Sequence, residues 1–152
     1  SLAICSGYTG IAGGQELDLK FEKKKKNFNQ IIDMQKKKTG KLFNFCLHAV
    51  GVVANKSRKE KLFLSNLGEE IGLLFQLADD FLDIKGSKKL VGKPVKKDRK
   101  KGKSTLLNLI GEKKAYMYAY NIKKKILLKL KKHGKKAEDL TNTIEFILGR
   151  NF

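Results

Sequence analysis

Tryptophan is absent from this sequence, and proline occurs once, at Pro94. With so few helix breakers, long periodic segments read as helices. Long apolar runs are missing too. The longest, such as residues 49–54, are far shorter than the roughly 20 residues a membrane span needs. No signal peptide is visible at the start. The expectation is a cytoplasmic protein that is not integral to a membrane. Cysteine is limited to Cys5 and Cys46, both set among apolar residues and without metal-ligand spacing. They read as buried thiols in a reducing compartment.

Arginine is scarce as well, at Arg58, Arg99 and Arg150 only. Yet lysine and arginine total 34 against 15 acidic residues, a net charge of +19. Such a charge first suggests nucleic acid or an acidic membrane surface. Forked contacts to phosphates and bases are mostly made by arginine, so an excess built from lysine points to a solvated, compositionally biased surface. No specific nucleic-acid partner is expected. A basic helical nucleic-acid-binding module is the alternative from a different functional class.

What is present is enough for a folded domain. The chain has 152 residues, 41% of them hydrophobic, which excludes a disordered class and allows one sizeable core. The start is rich in glycine. Gly7, Gly10, Gly13 and Gly14 fit one helix with a small-residue face, open to close approach by a neighbour. A charged link over residues 20–26 leads to a long helix over 28–55, with Ile31, Met34, Leu42, Phe45, Cys46 and Ala49 on its apolar face. A third helix is expected over 58–84, then a long basic loop over 85–103. Ser104 is the expected cap of a short turn through Ile110. Amphipathic helices follow over 112–132 and 137–148. No strand-like alternation is convincing, so the fold class is all-α.

The informative stretch is residues 70–84. At about 100° per residue, Gly72, Gln76, Asp79, Asp80 and Asp83 share one narrow stripe. The remaining arc, with Ile71, Leu74, Phe75, Leu77, Ala78, Phe81 and Leu82, is apolar. A helix this apolar is largely buried, so its polar stripe faces a cavity, a partner or water. Three neighbouring carboxylates repel one another unless protonated, wet or bridged by cations. Carboxylate oxygens suit Mg²⁺, which keeps several waters and commonly bridges protein carboxylates to substrate phosphates. The stripe is thus either a Mg²⁺–diphosphate platform or a solvated acidic face.

Two further groups accompany it. On a regular helix, Lys38 of Lys38-Thr39-Gly40 falls on the apolar side, near Ile31, Met34, Leu42 and Ala49. A lysine there needs an anionic partner, or it snorkels to water. Val91-Gly92-Lys93 and Gly102-Lys103-Ser104-Thr105 place lysines beside glycines, where a phosphate can approach closely. This is not a Walker P-loop, because the first glycine and the preceding strand are missing.

Together these residues resemble the trans-isoprenyl diphosphate synthases, most closely bacterial farnesyl diphosphate synthases. Gly13-Gly14-Gln15-Glu16-Leu17-Asp18-Leu19 is similar to the family's Gly-Gly-Gln-x-x-Asp-Leu. Lys38-Thr39-Gly40 matches its Lys-Thr-Gly, and Phe75-Gln76-Leu77-Ala78-Asp79-Asp80-Phe81-Leu82-Asp83 its second Asp-rich motif. Gly92-Lys93, Asp98 and Gly102-Lys103-Ser104-Thr105 follow in order. The family's first Asp-rich motif is absent from this sequence.

The resemblance implies a bundle of long helices around an apolar cleft. Residues 1–152 would be the C-terminal half of that isoprenoid synthase domain. The implied reaction condenses an allylic diphosphate with isopentenyl diphosphate, giving farnesyl or geranylgeranyl diphosphate with Mg²⁺ as cofactor. Asp79 would be the direct metal ligand, and Asp80 and Asp83 would act mostly through metal-bound water. Lys38, Lys93 and Lys103 would contact the allylic diphosphate. Thr39 and Gln76 would sit near the reacting centre, and Phe75 would line the cleft. Departures are Thr105-Leu106-Leu107, where bacterial members often have Thr-Tyr-Pro, and the ending Arg150-Asn151-Phe152. The half alone is expected to be inactive, and to associate as a homo-oligomer (a dimer) or with the missing N-terminal half. A noncatalytic subunit or remnant is the alternative within the same family.

Overall fold

The computed structural model describes residues 1–22, 24–90 and 104–149, with the side chains of residues 84–90 outside that description. The elements in chain order are α1 (Leu2–Ser6), α2 (Ile11–Phe21), α3 (Phe28–Gln35), a π-helical turn (Lys36–Gly40), α4 (Lys41–Val53), α5 (Arg58–Leu90), α6 (Leu106–Ile110), α7 (Glu112–Lys131), a 3₁₀ turn (Gly134–Ala137) and α8 (Glu138–Gly149). Among the described residues there is no strand, so the all-α expectation holds.

Local chemistry explains the boundaries. Asn27 starts α3 with a reciprocal cap: its side chain accepts from the Gln30 N–H, and the Gln30 side chain accepts from the Asn27 N–H. Residues 54–57 turn the chain between α4 and α5. Asn55 sits at φ 47°, and the N–H groups of Asn55 and Lys56 donate to the carbonyls of Val52 and Gly51, which closes the end of α4. Ser57 and Glu60 then cap α5 from both sides. Hydrogen bonds to Ser57 hold the Glu60 carboxyl below its ordinary range.

Several sequence expectations shift. The glycine-rich start is two helices, because the chain turns sharply over residues 7–10. Helix α5 continues to Leu90, so residues 85–90 are helical and not part of a loop. The cap of α6 is Thr105, whose hydroxyl accepts from the Asn108 N–H. Ser104 instead donates to the carbonyls of Phe21 and Lys24, tying this segment to the end of α2.

The core lies on one side of α5. Leu67, Ile71, Leu74, Leu77 and Phe81 of that helix meet Ala115, Ala119, Ile126 and Leu130 of α7, and Ile144, Ile147 and Leu148 of α8. Ile31 and Ile32 of α3 and Leu106 and Leu107 of α6 close one end. Each fully buried leucine or isoleucine contributes about 1.5–3 kcal/mol relative to exposure.

On its other side α5 packs antiparallel against α4, and small residues set the separation. A Cβ at Gly72 would lie 2.7 Å from the Gly40 Cα, and one at Gly68 2.3 Å from the Phe43 carbonyl oxygen. The two backbones are therefore almost in contact there.

Candidate functional site

The π-helical turn decides what faces α5. It holds one residue more than an α-helical turn, so everything after it is rotated by about 100°. A regular helix would turn Leu42 and Cys46 inward. Instead Phe43 and Leu47 pack toward the core, Leu42 is 46% exposed and Cys46 is exposed. The expected apolar face therefore fails at Leu42 and Cys46, while Phe45 and Ala49 are half-buried, and the reading of Cys46 as a buried thiol is corrected. Cys5 is half-buried.

Thr39, inside the π turn, faces the Asp-rich helix. Its hydroxyl donates to Gln76 Oε1 at 2.8 Å. Gln76 Nε2 donates to Asp80 Oδ1 at 3.0 Å, one turn further along α5. The second oxygen of Asp80 accepts from Gln35 Nε2 at 2.9 Å. A continuous relay thus joins Thr39, Gln76, Asp80 and Gln35. Its anchor, Gln35, is 3% exposed, and its Oε1 meets no donor among the described residues. Sequence reasoning missed Gln35. The available signal was a glutamine one turn before Thr39, beside the buried Met34 and Ile31.

The predicted polar stripe is real but graded. Gly72 is closed off against Gly40, Gln76 and Asp80 are half-buried, and Asp79 and Asp83 stand exposed. The last two enter no hydrogen bond or ion pair among the described residues. Phe75 is half-buried with its ring 5.6 Å from that of Phe43.

Lys38 does not sit on the apolar face predicted for it, since the regular count fails at the π turn. Its ammonium reaches Asp18 of α2, 2.5 Å away. Close packing makes this possible: a Cβ at Gly14 would lie 2.2 Å from the Lys38 backbone nitrogen, so α2 rests directly on the π turn. The anionic partner that the sequence called for is thus an aspartate of the same glycine-rich segment. Lys93 and Lys103 lie outside the described residues, as do Gly92, Asp98, Gly102 and Arg150.

This arrangement can offer two open carboxylates one turn apart, a third carboxylate held by amides, and a lysine and a hydroxyl alongside. Among the described residues no three His, Cys, Asp or Glu side chains converge on one point. The donors suit a hard cation that keeps water and takes its other ligands from elsewhere.

A family model described as polyprenyl synthetase matches residues 4–147. The chain belongs to the polyprenyl synthetase family. The farnesyl diphosphate synthase of Micrococcus luteus is 34% identical over 110 residues, covering 72% of this chain and 38% of that protein. The farnesyl diphosphate synthase of Escherichia coli is 32% identical over 154 residues, covering 99% and 52%. Among solved structures, an FPP/GFPP synthase from Zymomonas mobilis superposes with a TM-score of 0.80 at 32% identity, covering 96% of this chain and 48% of that one. A Helicobacter pylori geranyltransferase complexed with magnesium and isoprenyl diphosphate gives a TM-score of 0.77 at 29% identity, covering 97% and 48%. The chain spans about half the length, or less, of these polyprenyl synthetases.

Proposed function

We propose that this chain is the C-terminal half of a trans-isoprenyl diphosphate synthase and presents its second Asp-rich site. Joined to a half bearing the first Asp-rich motif, it would condense an allylic diphosphate with isopentenyl diphosphate, giving farnesyl or geranylgeranyl diphosphate. The allylic C–O bond breaks and its electron pair leaves with the diphosphate. The double bond of isopentenyl diphosphate attacks the cation, and a proton is then lost. The observation that carries this reading is the relay joining Thr39 and Gln76 to Asp80, beside the open Asp79 and Asp83.

Asp79 would hold Mg²⁺ directly and Asp83 mostly through metal-bound water; the ion when bound neutralises charge developing on the departing diphosphate. Asp80, with both oxygens occupied by amide donors, would act through a metal-bound water. Lys38 would exchange Asp18 for the diphosphate, a step favoured because the new partner carries more charge. Lys93 and Lys103 would join it there. The Thr39 hydroxyl oxygen and Gln76 carbonyl oxygen would face the reacting carbon, where partial negative charge steadies a cation. Phe75 would line the apolar wall that keeps water away. Without the complementary half, the full reaction is not expected.

Calorimetric titration of inorganic pyrophosphate, with and without Mg²⁺, tests the half-site on wild type and Asp79→Ala. Binding that needs both Mg²⁺ and Asp79 is expected. Salt-sensitive binding indifferent to both would refute the reading and favour a merely basic surface.

A further inference from the structure

The surface of the molecule holds a second feature, on the far side of α7 from the core. This helix buries Ala115, Ala119, Ile126 and Leu130. At about 100° per residue, the opposite face centres on Met117 and Leu128. These are 54% and 57% exposed, and Tyr120 on the same side is 49% exposed. Apolar side chains therefore occupy the middle of an outward face, where burial cannot explain them.

Lysines flank them on both sides: Lys113, Lys124 and Lys131 along one edge, Lys114, Lys125 and Lys132 along the other. All six are exposed, and none forms an ion pair among the described residues. Lysines of α7 that point back toward the protein behave differently. Lys123 pairs with Glu145 of α8, and Lys129 with Glu70 of α5. The sorting is by direction: lysines turned inward find carboxylates, and among the described residues the outward arc of α7 itself carries none. Beside it lies a shallow groove of about 280 Å³ between α7 and α8, lined by Tyr120, Leu127, Leu128, the lysines Lys124 and Lys131, and the Lys123–Glu145 pair.

We propose that this face of α7 is a peripheral docking surface for a membrane rich in anionic lipids. A helix lying in a bilayer interface needs apolar side chains to enter the acyl boundary and cations at headgroup level. Met117 and Leu128 supply the first, and the six lysines supply the second. Charge complementarity selects the occupant, since an uncovered row of like charges attracts an anionic plane. Nucleic acid fits less well. Methionine and leucine at the centre neither stack on bases nor pair with their edges, and arginine is missing from the whole face. The proposal is independent of the reaction proposed above, because no residue of the candidate site lies on this face.

The test is co-sedimentation of the full chain with vesicles of equal parts phosphatidylglycerol and phosphatidylcholine, against vesicles of phosphatidylcholine alone. Binding to the first and not the second is expected. The double variant Met117→Ser, Leu128→Ser keeps every lysine and should weaken partitioning by roughly tenfold. Lys124→Ser with Lys131→Ser should weaken it by on the order of tenfold as well. All four positions are exposed, so folding should be unchanged, as circular dichroism can verify. Lys24→Ser with Lys25→Ser, in the segment between α2 and α3, should have little effect. Failure to bind anionic vesicles would overturn the proposal. Binding undiminished in the Met117/Leu128 variant would do the same, as would capture by an RNA oligonucleotide at a salt concentration where vesicles are not bound.

Discussion

Gln35 donates from its side-chain amide to Asp80 at 2.9 Å, across 45 positions of sequence. The bond crosses from the last residue of α3 to the acidic stripe of α5, and it begins where the helix widens into the π turn. Gln35 is buried, so its amide is committed to this contact. Asp80 is thereby fixed by two amides while its neighbours Asp79 and Asp83 stay open.

Replacing that amide by an acid gives the first prediction. Gln35→Glu sets two carboxylates side by side in a half-buried place, at a cost of about 3 kcal/mol near neutral pH. The like charge raises a carboxyl pKa in the folded state above its unfolded value. The penalty is therefore present at high pH and shrinks as pH falls through the raised value. Urea unfolding of variant and wild type should converge as pH falls from neutrality into the acidic range. A gap that stays constant with pH would show that the two side chains do not face each other.

The glycine contacts make a second, purely steric prediction. Gly72→Ala must push α5 away from Gly40, where the closest atom is backbone and cannot swing aside. We expect a loss of about 2 kcal/mol. Gly149→Ala meets nothing within 4 Å and should change stability by less than about 0.5 kcal/mol. Equal effects in thermal unfolding would mean that the π turn and α5 are less tightly apposed than described.

A third prediction concerns Lys38. Asp18→Asn removes its ion partner, and the partly exposed pair contributes at most about 1 kcal/mol to stability. The freed ammonium should bind pyrophosphate more tightly in the presence of Mg²⁺, by a few-fold. Lys38→Met in the same titration should weaken binding. Weaker binding in Asp18→Asn would instead make the aspartate a direct contributor to the site.

A fourth follows from Tyr118, which packs edge-on against Phe28 with ring centroids 5.2 Å apart. Burial raises its hydroxyl pKa above the ordinary 10.0. Stability from keeping the phenol neutral is full below that ordinary value and is lost as pH rises through the folded one. Tyr118→Phe cannot ionise, so its stability should decline less between about pH 9 and about pH 11. Identical alkaline profiles would show that Tyr118 is in contact with water in the folded state.

The helices, the Asp-rich stripe and the family resemblance were legible in the sequence, because each rests on local spacing. Regular 3.6-residue geometry puts Asp79, Asp83 and Gln76 on one side of α5 and its aliphatic residues on the other, whatever that helix packs against. The family motifs are contiguous strings. Lysine-rich composition is equally local, and it led only to the expectation of a solvated surface.

The tertiary structure decided the rest, since it depends on groups far apart in the chain. Nothing local marks Lys36–Gly40 as a π turn. One extra residue there sends Phe43 and Leu47 inward and Leu42 and Cys46 outward. The Lys38–Asp18 pair needs α2 laid on the π turn through Gly14, and the Gln35–Asp80 bond needs α3 beside α5. Which lysines of α7 find a carboxylate among the described residues was settled only when α5 and α8 brought Glu70 and Glu145 to two of them. Periodicity sets the direction of a side chain within its own helix; only packing sets what stands opposite.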